Sequence, residues 1–242
     1  MISFKQFLAE DDASSVTPLE AAKYVVEHCQ DFLKEINFNI SHNENYARIS
    51  SPMLYRGMGN FALNKGYVLS GARPRTPIDS SKDLTETLDE YFKKRFGYEY
   101  RKKGVFCSGS GGFAGNYGNV FLIFPTDGFD AIWSEEIEDA YTALDYRKNG
   151  ETPVFARRIC LAMNEDNPFA NEELGEDDQW KEWYRIVWQW LEEHHPYKDA
   201  DILNGMLCKV KPEIMLRCKE YVAIPRDGAF MHEFVEEMLE LL

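Results

Sequence analysis

Residues 119–125, NVFLIFP, form an apolar run broken by no charge and about as long as a β-strand. Such a strand needs apolar cover on both faces, so the chain must set other elements above and below it. Just upstream, residues 108–118, SGSGGFAGNYG, put five glycines and two serines between this run and a second one, GVFCS at 104–108. Glycine removes the Cβ and frees the backbone. The segment therefore reads either as a turn that reverses the chain or as a loop kept small for a ligand, with FAGNY forming a short helix.

A chain of 242 residues suits one large domain, and 44% hydrophobic with 14% aromatic residues is a globular composition. The net charge of −14 argues against non-specific nucleic-acid binding, which needs a basic footprint. The stretch 93–104, KKRFGYEYRKKG, is the local exception. The five cysteines are odd in number, scattered and without CxxC spacing, which predicts reduced thiols in a cytosolic setting. No histidine pairs with them at ligand spacing, so no metal is expected. No apolar run is long enough to span a bilayer, and the first residues lack a secretory stretch, so a soluble protein with no membrane partner is expected.

Residues 17–36 predict one helix with Thr17 as N-cap, Pro18 at its first position and Glu20 closing a capping box. Its apolar face is Ala22, Val25, Val26, Cys29, Phe32, Leu33 and Ile36. PMLYRGM (52–58) reads as a strand carrying one charge, Arg56, and 66–83 reads as a Pro-containing loop. Residues 83–96 predict a helix with Leu84, Leu88, Tyr91 and Phe92 on one side. SEEIEDAYTALDYRKNG predicts a helix ending at Gly150, and 164–178 an acidic, solvated loop. Trp180, Trp183, Tyr184, Val187, Trp188 and Leu191 then fall at helical spacing, a stripe expected in the core, with His194 and His195 capping its end. EIMLRCKEYVAIP (213–225) predicts two strands, and a last amphipathic helix closes the chain. His28 and His232 fall on helices and are expected to be structural.

Three stretches place a polar residue within or at the end of an apolar strand, where burial without a partner is costly: LYRG at 54–57, FCSGS at 106–110 and KPEIMLRCKEYVAIP at 211–225. In this order they resemble the arginine, serine and glutamate motifs of ADP-ribosyltransferases of the R-S-E class, over residues 52–225. The resemblance implies an α+β fold: a split antiparallel β-sandwich around an NAD cleft, with N-terminal helices and a helical insertion at about 134–205, all within one domain, 17–242. It also implies NAD as substrate. Arg56 would hold the pyrophosphate, Ser108 would brace the ribose region and orient the catalytic carboxylate, and Glu213 would be that carboxylate. Tyr55, Gly57, Gly109, Ser110, Phe113 and Tyr117 would complete the dinucleotide site. Taken alone, Arg56 also reads as an ordinary salt-bridge partner, and Glu213 as a surface charge at a strand start.

Two departures from the family pattern bear on the acceptor. Lys211 stands where the family carries an acidic or amide acceptor-side residue two before the glutamate, so modification of arginine is not implied. Ser108 and Glu213 are about a hundred residues apart, which the insertion accounts for. Glu136 and Glu138 of SEEIED form a rival Glu-x-Glu pair, in a run that reads equally as a solvated helix start with acids favoured by the helix dipole.

The first ten residues, MISFKQFLAE, resemble the capsid-targeting leaders of internal head proteins of tailed bacteriophages, cut after a Leu-x-Glu pattern, here Leu8, Ala9 and Glu10. A frayed first helix is the other reading of 1–16. The leader implies packaging in a phage head and action in the host cytoplasm on a host protein or nucleic acid. Two alternatives stand beside transfer: hydrolysis of NAD on the same fold, and a non-catalytic acidic protein that binds or inhibits a basic host partner through its field.

Overall fold

A computed structural model describes residues 13–42, 47–59, 61–71, 81–145, 153, 155–171, 173–199 and 201–242. The leader motif at 1–10, residues 72–80 of the Pro-containing stretch and the expected helix end at 146–150 lie outside the described residues. The strands are β1 (Ser14–Val16), β2 (Ile40–His42), β3 (Ala47–Ile49), β4 (Leu54–Met58), β5 (Gly66–Ser70), β6 (Val105–Ser108), β7 (Asn119–Pro125), β8 (Asp130–Ser134), β9 (Tyr197–Lys198), β10 (Glu213–Arg217) and β11 (Glu220–Pro225). The helices are α1 (Pro18–His28), α2 (Gln30–Glu35), α3 (Lys82–Phe96), α4 (Tyr100–Lys103), α5 (Gly111–Ala114), α6 (Ala140–Leu144), α7 (Ala156–Met163), α8 (Glu176–His194), α9 (Ile202–Leu207) and α10 (Ala229–Leu241). The fold is α+β. β2 and β3 pair with each other, and the other strands run in the order β1-β5-β11-β7-β4-β6-β10-β8-β9, with antiparallel pairing throughout.

This sheet cannot be flat. β10 and β11 stand four strand spacings apart, about 19 Å, yet only Cys218 and Lys219 join them, a connection that reaches about 11 Å at most. The sheet must fold over, and the weak seam is between β4 and β6, which share a single bridge, Tyr55 to Ser108. Val105, Cys107, Ile214 and Leu216 accordingly share one core with Leu54, Phe121, Ile123 and Val222. Phe106, Ile132 and Met215, on the opposite face of β6, β8 and β10, belong to a second core built with α3, α6, α7 and α8.

Local signals set several elements. Thr17 Oγ1 accepts from the Glu20 amide at 3.3 Å while the Glu20 carboxylate accepts from the Thr17 amide at 2.8 Å, closing the expected capping box. The expected single helix breaks at Cys29, however. Asp127, in the turn after β7, donates its amide to the His28 carbonyl at 2.7 Å and accepts the Asp31 amide on its carboxylate at 2.8 Å, taking two groups that a continuous helix would use internally. The apolar face survives the break, with Ala22, Val25, Cys29 and Phe32 fully buried.

Other expectations need correction. Gly66–Ser70 is a strand, not loop: Tyr67 and Leu69 are buried, and it pairs with both β1 and β11. The helix expected from 134 is limited, among described residues, to Ala140–Leu144. Ser134 ends β8, and its hydroxyl accepts the amides of Glu136 and Ile137 at 3.1 Å, while Asp139 supplies the true N-cap. The acidic loop contains a 3₁₀ turn at Pro168–Ala170 and the first residues of α8. Trp188 is only half-buried, and Trp190 takes the core position instead. His195 adopts a left-handed cap at the end of α8, as expected of that histidine pair.

Trp183 anchors the second core: it is fully buried, and its indole nitrogen donates to the Leu144 carbonyl at 2.6 Å. Trp183→Ala is expected to cost about 3–5 kcal/mol and to lower the thermal midpoint by roughly 10 °C in a chain of this size. A calorimetric scan of the variant checks this; a shift below about 2 °C would contradict the packing described.

Candidate functional site

The folded seam brings together the three strands that carry the sequence motifs. β4, β6 and β10 are consecutive in the sheet, and Ser108 is the cross-strand partner of both Tyr55 and Glu213. Directly opposed residues of an antiparallel pair share a face with Cβ atoms about 5 Å apart, so Tyr55, Ser108 and Glu213 form one row. Arg56 is the next residue along β4, so its side chain leaves the strand on the opposite face from that row, the face of Leu54 and Met58; it is only 6% exposed, and its guanidinium Nη1 donates to the Phe106 carbonyl at 3.2 Å. The pairing register would set Gly57 against Phe106, but no bridge forms there. The guanidinium thus meets a carbonyl at the point where the ladder ends.

Glu213 does not stand alone. Its Oε2 accepts from Arg101 Nη1 at 2.7 Å, with the two side chains 16% and 6% exposed. Arg101 lies on α4, its guanidinium 4.9 Å from the centre of the Phe106 ring. α4 is held in turn by Asp89 of α3, whose buried carboxylate accepts the amides of Arg101 at 2.7 Å and Lys102 at 3.1 Å. The Glu213 amide donates to the Glu138 carbonyl at 2.7 Å, fixing the start of β10. Burial pushes the Glu213 carboxyl up to about 7; Arg101 opposes the rise and Asp139 adds to it. Burial likewise lifts Asp89 to about 6 against the pull of its two amide donors. Tyr197 of β9 is buried beside this pair, its phenol pushed upward by burial first and by Glu213 second. Its hydroxyl has no hydrogen-bond partner among the described residues.

At Gly109, Gly111 and Gly118 the glycine segment is small because the protein packs against itself there. A Cβ on Gly109 would lie 2.3 Å from the Met206 carbonyl oxygen at the end of α9, and one on Gly57 would lie 2.1 Å from the Ala114 carbonyl oxygen of α5. At Gly111 the neighbour is the Arg226 guanidinium, which also sits 5.6 Å from the centre of the Tyr55 ring. The Ser108 hydroxyl accepts the Ser110 amide at 3.2 Å, and the Ser110 hydroxyl accepts the Phe113 amide at 3.3 Å, capping α5. The Phe113 and Tyr117 rings lie 5.8 Å apart, tilted by 60°, on this short helical stretch, and Tyr117 is exposed. FAGNY is therefore helical, not part of a hairpin turn.

Lys211 precedes β10 in a left-handed conformation, φ 55°, and its ammonium donates to the Met206 carbonyl at 3.4 Å. The rival pair divides: Glu136 is an exposed partner of Arg158 at 2.6 Å, while Glu138 offers its main-chain carbonyl to Glu213. The sequence reading missed Arg101, Asp89 and Tyr197. Asp89 had left a signal, a carboxylate on the same helical stripe as Leu84, Leu88 and Phe92. A cavity of about 390 Å³ lies elsewhere, lined by Thr17, Leu63, Lys65, Phe230 and Glu233 among others, and includes none of the motif residues.

Three comparisons place this geometry against known proteins. No protein-family model, curated protein or solved structure matches the chain. Among the described residues no helix is long and apolar enough to cross a membrane, and no cluster of three or more His, Cys, Asp or Glu could hold a metal ion.

The raised Glu213 carboxyl fixes the sign of a pH effect. A carboxyl that holds its proton more tightly folded than unfolded favours the folded state below its unfolded value, 4.5, and that contribution is lost as pH rises through about 7. The stability of the wild type relative to Glu213→Gln is therefore expected to fall, by on the order of 2–3 kcal/mol, between pH 4.5 and pH 8. Denaturant titrations of both proteins across that range check it; a pH-independent difference, or one that grows, would contradict it.

Proposed function

We propose that the chain is a mono-ADP-ribosyltransferase that moves ADP-ribose from NAD to a host macromolecule and releases nicotinamide. The observation that carries the reading is the cross-strand pairing of Ser108 with Glu213 on neighbouring strands, in one row with Tyr55; Arg56 lies beside this row on β4, with its side chain on the opposite face. Motifs separated by about a hundred residues of sequence thus occupy three consecutive strands. The folding of the sheet at the β4–β6 seam also supports the split sandwich of that class.

In the proposed reaction the bond from the ribose anomeric carbon to the nicotinamide ring nitrogen breaks, and its electron pair leaves with nicotinamide, which becomes neutral. The ribose develops oxocarbenium character. The Glu213 carboxylate accepts a hydrogen bond from a ribose hydroxyl and stabilises the positive charge, an interaction stronger in the transition state than in the ground state. An acceptor nucleophile then bonds to the anomeric carbon and gives up its proton. Arg56 supplies a permanent, planar, multi-donor cation for the pyrophosphate, which a lysine would replace poorly. The Ser108 hydroxyl, fixed in its turn, braces the ribose-facing end of the row. Lys211 stands on the acceptor side as a cation, so an acceptor other than an arginine side chain is expected. Water as the acceptor gives the hydrolase variant of the same chemistry.

Glu213→Gln is expected to lower nicotinamide release by about 10²–10³-fold, the usual effect of removing one preorganised electrostatic group, with NAD affinity changed far less. The assay is release of nicotinamide from labelled NAD with host lysate, following the label through protease and nuclease. Label on a macromolecule supports transfer, and free ADP-ribose alone points to hydrolysis. No release by the wild type, or equal release by the variant, would overturn the reading.

A further inference from the structure

We infer that Arg101 is a positioning residue for Glu213, setting both where its carboxylate lies and the pH at which it becomes charged. The inference rests on the proposed function for its catalytic meaning but draws on residues that the motifs do not contain. Glu213 opens β10 at the rim of the sheet, where a glutamate with free rotamers would turn to water. Arg101 prevents this by a 2.7 Å bond from Nη1 to Oε2.

Arg101 is itself fixed on three sides. Its backbone is pinned by Asp89, its guanidinium lies 4.9 Å from the centre of the Phe106 ring, and only 6% of its side chain is exposed. The chain of contacts is thus α3 to α4 to the first residue of β10. A planar guanidinium held over a ring leaves donors along one direction, so the carboxylate it meets is held in one orientation. The second oxygen of that carboxylate stays available to a substrate hydroxyl.

The same contact governs charge. The groups facing Glu213 are Arg101 from α4, Asp139 from the segment before α6, Tyr197 from β9 and Ser108 from β6. Arg101 is the cation of this set. Burial and Asp139 favour the protonated acid, which cannot stabilise an oxocarbenium ion, and Arg101 favours the charged carboxylate. Without it the carboxylate would need a higher pH to become charged.

The test uses the full-length chain in three variants, Arg101→Met, Arg101→Lys and Asp89→Asn, with folding checked by circular dichroism. Two readouts are taken. Carbon-detected NMR titration of the Glu213 carboxyl reports its charge independently of any activity, and the pH profile of nicotinamide release reports catalysis. Arg101→Met is expected to move both the titration midpoint and the acidic limb of the profile upward by at least about one pH unit, tenfold in proton affinity. Arg101→Lys is expected to keep the midpoint near that of the wild type but to lower kcat at least about tenfold with KM for NAD little changed, since a point charge orients less well than a fork. If Arg101→Met does not fold, Arg101→Lys and Asp89→Asn carry the test, the latter expected to lower kcat with unchanged KM by loosening α4. An active wild type whose variants titrate and turn over like it would overturn the inference. A wild type that releases no nicotinamide would overturn the proposed function and the catalytic role with it, while the titration still shows whether Arg101 sets the charge of Glu213.

Discussion

The register between β6 and β10 is the constraint on which the rest depends. Because side chains alternate along a strand, a slip of one residue would send Glu213 to the other face and set Ile214 against Ser108. Several independent features hold the register. Ile214, Leu216, Val105 and Cys107 are buried in one core while Met215 is buried in the other, so a slip would exchange the two sets. The Glu213 amide is tied to Glu138, and its carboxylate is tied to Arg101. The second core therefore does more than cover the sheet. It carries the helices that deliver Arg101 and Asp89 to the end of β10.

The seam between β4 and β6 is the complementary feature. A sheet paired there by one bridge can fold so that β10 comes within a two-residue connection of β11. The row Tyr55, Ser108 and Glu213 is placed at that fold. Close packing then explains much of the glycine-rich segment. Gly109 and Gly118 are required because the backbone of Met206 and of Gly59 lies within 2.3 and 2.7 Å of where a Cβ would stand. A loop that reads as room for a ligand is, at these two positions, room for the protein's own backbone.

What was legible in the sequence follows the range of the interactions involved. The α1 start is readable because Thr17, Pro18 and Glu20 are neighbours, and β7 because an unbroken apolar strand has few other uses. The buried stripe of α3 is readable from spacing, and Asp89 within it was a visible oddity. The break at Cys29 was not readable, because its cause is Asp127, nearly a hundred residues away. β5 was hidden because its apolar GYVLS runs directly into a proline-containing stretch, so a single loop absorbed both. Arg101 was hidden more deeply: it sits among lysines that face solvent, and its partner lies 112 residues further on. Arg56, Ser108 and Glu213 were individually ambiguous, and only their order suggested a common site.

The most direct measurement is a crystal structure of the chain with a non-cleavable NAD analogue. The account predicts a dinucleotide lying across the ends of β4, β6 and β10. The Glu213 carboxylate should lie within hydrogen-bond distance of a hydroxyl of the nicotinamide ribose, and the Arg56 guanidinium should meet the pyrophosphate. An analogue bound away from these strands, or no binding at millimolar concentration, would contradict it.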